Sequence, residues 1–93
     1  MEFEFDAGKS AANRDKHGID FVEAQALWQY PYYLDLDAKS DDELRFARIG
    51  KIGSKYWVAF YTLRMRAVRI ISVRRARKVE IQRYEEHISQ RTR

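Results

Sequence analysis

Four cations, Arg74, Arg75, Arg77 and Lys78, crowd the point where "RIISVRRARKVEIQRYEE" (69–86) turns from a strand-like into a helix-like pattern. Arginine's planar fork suits bidentate contact with phosphate, and lysine adds a compact point charge. The cluster has two readings. It holds the phosphates of a polyanion, or it closes a charge-rich strand end against carboxylates such as Asp6 or Asp35. If the strand continues through them, Arg74 and Arg75 point to opposite sides and serve different purposes. An arginine buried without a partner is expensive, so each needs an acid, a ligand or water. Proton-transfer groups are scarce, because the chain has two histidines. His17 ends a helical pattern in "DKHGID", where the helix dipole favours a cation, and Lys16 stands beside it. A structural cap and a proton-transfer role both fit that place. His87, next to Glu86 on the tail pattern, reads as solvent-facing.

Other chemistries lack their residues. Without cysteine there is no disulfide framework and no thiolate metal site. No HExxH or close His/Asp cluster occurs, and "DLD" at 35–37 lacks the rest of a calcium loop. A glycine-rich phosphate loop and a GxSxG elbow are missing too. A helix-turn-helix with a basic recognition helix does not fit, since the first two helical patterns carry surplus acid. Neither a metal nor another cofactor is expected. No apolar run approaches the roughly 18 residues of a membrane span. The acidic opening "MEFEFD" has the wrong sign for a secretory signal. The expected place is the cytoplasm, with no membrane partner.

The net charge of +4 hides a sharper division. Residues 1–43 hold eleven acids and four bases, a net −7, while residues 44–93 hold fourteen bases and three acids, a net +11. The halves neutralise one another across the fold, or the basic half is a footprint for polyanions, nucleic acid first among them. Arginine outnumbers lysine eleven to three in the basic half, which favours phosphate contact over a merely solvated face.

Local patterns supply the elements that would position these groups. "EFEFD" (2–6) alternates acid and phenylalanine, the mark of a short half-buried strand. Asp6 caps a helix from about Ala7 to His17, closed by Gly18. Asp20 and Glu23 have capping-box spacing, with Ile19 placed to staple onto Ala24, and predict a second helix from Phe21 to about Gln29, ended by Pro31. "YYLDLD" (32–37) alternates again, and "AKSDDE" reads as an exposed loop. Three more strand patterns occupy 44–52, 55–63 and 67–73, joined by short connections that predict antiparallel pairing. Val79, Ile81, Tyr84 and Ile88 have helical spacing in a tail helix over about 76–89 that lies across the sheet. The sum is an α+β domain over residues 1–93: N-terminal helices, an antiparallel meander and a C-terminal helix. One sheet face carries the helices, and the other is left for function. With an even turn at Met65-Arg66, Tyr61 opposes Ile70 and Trp57 opposes Arg74. Val58, Phe60, Ile71 and Val73 then form an apolar face, with Thr62, Arg64 and Arg69 toward its end. Trp57, Ala59, Tyr61, Leu63, Val68, Ile70, Ser72 and Arg74 form the open one, where rings stack bases and arginines hold phosphates.

"FDAGKSAANRDKHGIDFVEA" (5–24), "ELRFARIGKI" (43–52) and "YTLRMRAVRIISVRRARKVEIQRYEE" (61–86) together resemble the BrnT family, in order and over nearly the whole chain. Ala7-Gly8 stands where that family commonly has a proline, and the 30–42 loop diverges. The resemblance implies a toxin of a type II toxin–antitoxin system with a compact RelE-like ribonuclease fold. It implies a metal-independent endoribonuclease that reduces translation and arrests growth, neutralised by a BrnA-like antitoxin. It also implies operator DNA bound only through the toxin–antitoxin complex. Under that reading Arg64 and Arg74 meet the scissile phosphate and Arg75 supports them. His17 transfers protons with Lys16 adding charge nearby, and Tyr61 stacks a base or donates a proton. A non-catalytic module holding nucleic acid on the same face is the alternative. A third reading, a structural protein whose charged halves pair between copies, predicts association that dissolves in salt.

Overall fold

The computed structural model describes residues 1–39 and 41–91. After strand β1 (Glu2–Glu4), the Asp6 carboxylate accepts the Lys9 amide at 2.9 Å and starts helix α1 (Ala7–His17). Gly18 ends the helix at φ 81°, a left-handed conformation that glycine adopts without a side-chain clash. Asp20 and Glu23 form the expected reciprocal cap, Glu23 N to Asp20 Oδ1 at 2.7 Å and Asp20 N to Glu23 Oε1 at 3.1 Å. This cap opens a six-residue 3-10 helix, Glu23–Trp28, in place of the predicted α-helix over 21–29. Pro31 stands just beyond it, lacks an N–H and pushes its predecessor away from helical angles, so only a short, tightened segment fits.

Four further strands, β2 (Leu34–Ala38), β3 (Arg45–Ile52), β4 (Lys55–Arg64) and β5 (Ala67–Arg75), form the expected antiparallel meander. Ser40, in the loop between β2 and β3, lies outside the described residues. The sheet order is β1-β5-β4-β3-β2, and β1 joins β5 in parallel, with Phe3 opposite Val68, so the five-stranded sheet is mixed. Two-residue turns join β3 to β4 and β4 to β5, with Gly53 and Met65 supplying the positive φ that tight hairpins need.

Both sheet faces carry helices, which corrects the expectation of one free face. On the first, Trp57, Ala59, Tyr61, Val68, Ile70 and Val73 pack against Ile19, Phe21, Ala24 and Leu27. Gly50 admits the 3-10 helix there, since a Cβ would come within 3.0 Å of Leu27 Cδ2. On the second, Ala47, Ile49 and Val58 meet Tyr84 of helix α2 (Lys78–Arg91). Helix α2 lies against β2 and β3, and beside it Ala47, Phe60, Ile71 and Ser72 remain as part of the lining of a cleft.

A β-bulge decides which arginine reaches that cleft. Tyr61 pairs with Ile70 as predicted, but Phe60 pairs with Ser72, leaving Ile71 as the extra residue. One extra residue moves every later side chain to the other face. Arg75 therefore opposes Trp57, and Arg74 opposes Val58. Val73 joins the core of the first face rather than lying beside Val58, and Ser72 and Arg74 turn to the second.

Candidate active site

Arg74 is pinned along one edge and free along another. Its Nη1 and Nη2 donate to Glu80 Oε1 and Oε2, each at 2.8 Å, and its Cζ lies 5.3 Å from the Phe60 ring centroid. Nη1 also donates to the Arg75 carbonyl at 3.1 Å. The remaining edge, Nε with the second Nη2 hydrogen, takes no acceptor among the described residues. Glu80 sits in the first turn of α2 and also accepts the Arg77 amide at 2.7 Å, so one carboxylate caps the helix and anchors the arginine. The Arg74 bond, with that amide and the surrounding positive charge, holds the Glu80 carboxyl below its ordinary value despite partial burial. A cation so anchored, with a fork edge unfilled, is preorganised for an oxyanion.

The cleft measures ≈ 530 Å³ and is lined by Arg74, Glu80, Arg45, Lys39, Ser72 and Phe60 among others. Arg45 Nε is shielded from solvent without a hydrogen bond; Glu43 Oε1, at 3.7 Å, is too far to supply one. An unpaired buried donor costs about 1–3 kcal/mol. Farther along the same face Glu4 lies 3.5 Å from Arg69 Nη1 and 3.9 Å from Arg64 Nε. Those two cations are partly neutralised by β1, whereas the Nε edge of Arg74 has no carboxylate on it among the described residues.

Of the six residues singled out from sequence, Arg74 alone lines this cleft. Arg64 is on the same face but six residues along β4 from Val58, the partner of Arg74, or roughly 20 Å at about 3.3 Å per residue. The two do not converge on one phosphate. Tyr61 is 5% exposed, packed between Trp28 and Phe46, with its hydroxyl donating to Asp35 Oδ2 at 3.0 Å. Burial and then the Asp35 charge push its hydroxyl up to about 12. Its ring offers no open face for a base. Arg75 lies over Trp57, 5.4 Å from the ring centroid, on the opposite side of the sheet from Arg74. His17 is half-buried and Lys16 exposed at the end of α1, whose Asn13 accepts the Val73 amide at 3.1 Å. Both belong to the side of the 3-10 helix. His87 is half-buried rather than solvent-facing.

Neither acid suggested for the arginine cluster pairs with it. Asp6 caps α1, and Asp35 holds Arg48 in a two-bond fork at 2.9 Å beneath the rings of Tyr33 and Trp28. That part-buried pair fastens the 3-10 helix and the following loop to the sheet. Arg45, Ser72 and Lys39 were not singled out from sequence. Arg45 stands in the 43–52 stretch without a role assigned to it, and Ser72, named on the open face with Arg74, changes face with it at the bulge. Among the described residues, no three of His, Cys, Asp and Glu converge into a metal-holding group. No described helix is long and apolar enough to cross a membrane.

Residues 5–80 match the family described as ribonuclease toxin, BrnT, of type II toxin-antitoxin system. No curated protein matches the chain.

Proposed function

Since the chain belongs to the BrnT family of ribonuclease toxins of type II toxin–antitoxin systems, we propose that the Arg74 cleft is where it cuts RNA, as a metal-independent endoribonuclease. The observation that carries this reading is Arg74 itself: clamped by Glu80 at 2.8 Å through one edge, with the edge bearing Nε left unfilled. That edge takes two non-bridging oxygens of the scissile phosphate, and Arg45 on the cleft lining adds its guanidinium charge to the same group or the next. The 2′-hydroxyl attacks phosphorus, forming the P–O2′ bond and breaking P–O5′. Its proton leaves to water, and the 5′-oxygen takes one from the Lys39 ammonium at the rim. The products are a 2′,3′-cyclic phosphate and a 5′-hydroxyl. Stabilising the extra charge of the phosphorane is the main work, worth about 10²–10³-fold per preorganised donor by analogy with oxyanion holes.

Arg64, roughly 20 Å along the same face, contacts a phosphate several nucleotides away rather than the scissile one. Arg75 and Lys16 supply positive field from the other side, His17 stands beside Lys16 at the end of α1, and Tyr61 acts through the core. In the cell the toxin works in the cytoplasm, cutting message, lowering translation and arresting growth. A BrnA-like antitoxin covers the cleft with an acidic or strand-donating segment, and operator DNA is bound only by the joint complex. The mechanism is tested with an RNA carrying a single 2′-deoxy sugar at the cut site. Cleavage there should stop while the product ends elsewhere are cyclic phosphates. Cutting at the deoxy position, or binding without cutting any RNA, free or on ribosomes, contradicts it.

A further inference from the structure

A second cleft, ≈ 340 Å³, opens beside α2 and is lined by Tyr30, Tyr32, Lys51, Gly53 and Tyr84. Tyr30 and Tyr32 are 55% and 49% exposed, unusual for two rings facing one space, whereas Tyr84 is buried and forms its floor. Arg91 Nη1 donates to the Pro31 carbonyl at 3.4 Å and holds the loop that carries both rings. The Lys51 ammonium is 5.1 Å from the Tyr56 ring centroid, and the nearby Glu85 carboxylate is already engaged by the Tyr56 hydroxyl. Gly53 adds no side chain to obstruct the opening. Exposed rings with a cation beside them are what stack an unpaired base and steady its phosphate. A protein partner fits less well, because lysine is depleted from the cores of protein–protein interfaces.

Position links this cleft to the arginine one. Tyr56, which opposes Lys51, and Val58, which opposes Arg74, are alternate residues on one face of β4. The chain between the two clefts is the start of α2, where Arg77 and Lys78 are exposed and Ala76 N bonds the Tyr56 carbonyl at 2.9 Å. We propose that the Tyr30–Tyr32–Lys51 cleft binds one unpaired base of the RNA substrate, the backbone reaching it from Arg74 across Arg77 and Lys78. This deepens the ribonuclease reading and rests on it.

The test uses a short single-stranded RNA with 2′-O-methyl sugars, which binds but lacks the attacking hydroxyl. Its affinity is measured by fluorescence anisotropy for the wild type, Tyr30→Ala/Tyr32→Ala, Tyr30→Phe/Tyr32→Phe and Arg74→Ala. The alanine pair should bind roughly tenfold more weakly, the size of one lost stacking contact, and the phenylalanine pair as the wild type does. Thermal melting of these exposed-site variants checks that they fold. Unchanged affinity in the alanine pair overturns the proposal, as does an equal loss in the phenylalanine pair. Weaker antitoxin binding with RNA affinity intact overturns it in favour of a protein surface. If Arg74→Ala binds this RNA, and cleaves an unmodified one, as the wild type does, the Arg74 cleft is not where RNA is cut and the reading beneath the proposal fails. If Arg74→Ala weakens and the tyrosine pair does not, only the second cleft fails.

Discussion

Arg74 owes its usefulness to Glu80. A free arginine side chain carries about 2 kcal/mol of rotamer entropy, which must be surrendered when it grips a phosphate. The fork at 2.8 Å surrenders it in advance. Glu80→Gln keeps an amide oxygen for the Arg77 N–H but loses the charge-assisted fork. It should lower single-turnover cleavage roughly tenfold at saturating RNA, with less effect on RNA affinity. Faster cleavage in that variant would instead make Glu80 a competitor for the arginine. Tyr61 has the opposite character. Tyr61→Phe removes one hydrogen bond to the Asp35 carboxylate, so it should destabilise the fold by about 1.5 kcal/mol in urea and leave cleavage by the folded enzyme unchanged. Arg74 was legible in the sequence because the cation cluster at a strand end stands out. Its partner was not, because Glu80 lies six residues on, and only the return of α2 over the sheet brings it back.

At the scale of elements, α2 joins stability to the site, since its first turn is capped by the residue that anchors Arg74. Glu80 has an ordinary value of 4.5 and is held lower in the folded chain. Its contribution is therefore present above pH 4.5 and lost as the pH falls through the depressed folded value. The stability gap between wild type and Glu80→Gln should narrow across that range in acid-unfolding titrations. A gap that widens with acid would show that the pairing does not hold in solution. Helix α1, its cap at Asp6 and stop at Gly18, and the order of β2 to β5 were all readable, because local chemistry fixes them within a few residues. The bulge at Ile71 was not. Apolar alternation slips in "VRIISV", where Ile70 and Ile71 stand side by side, but adjacent apolar residues also fit a regular strand covered on both faces, so the doublet alone does not announce a bulge. That single slip turned a correct hairpin into a wrong assignment of Arg74 and Arg75. The parallel β1–β5 pair was hidden for another reason, since it depends on contacts more than sixty residues apart.

Across the whole molecule, the acidic first half is spent on caps and on pairing selected arginines: Asp35 with Arg48, Glu4 with Arg64 and Arg69. Lys39, Arg45 and Arg74 line the cleft on the second sheet face beside Asp37, and Arg77 and Lys78 are exposed at the start of α2. With three to four phosphates neutralised, affinity for single-stranded RNA should fall roughly 20- to 50-fold between about 50 and about 200 mM salt. Antitoxin binding should weaken over the same range and compete with RNA. RNA bound firmly to a saturated toxin–antitoxin complex would place the antitoxin elsewhere. The central claim, that Arg74 holds the phosphate being cut, is met most directly by one comparison. A defined free RNA is incubated with purified wild type and with Arg74→Ala in excess EDTA, with ribosome-bound message in magnesium buffer as a separate substrate and folding checked by circular dichroism. The account predicts cleavage by the wild type that drops at least about 10²-fold in the variant. Equal cleavage by a folded Arg74→Ala protein, or wild-type cleavage abolished by EDTA, contradicts it.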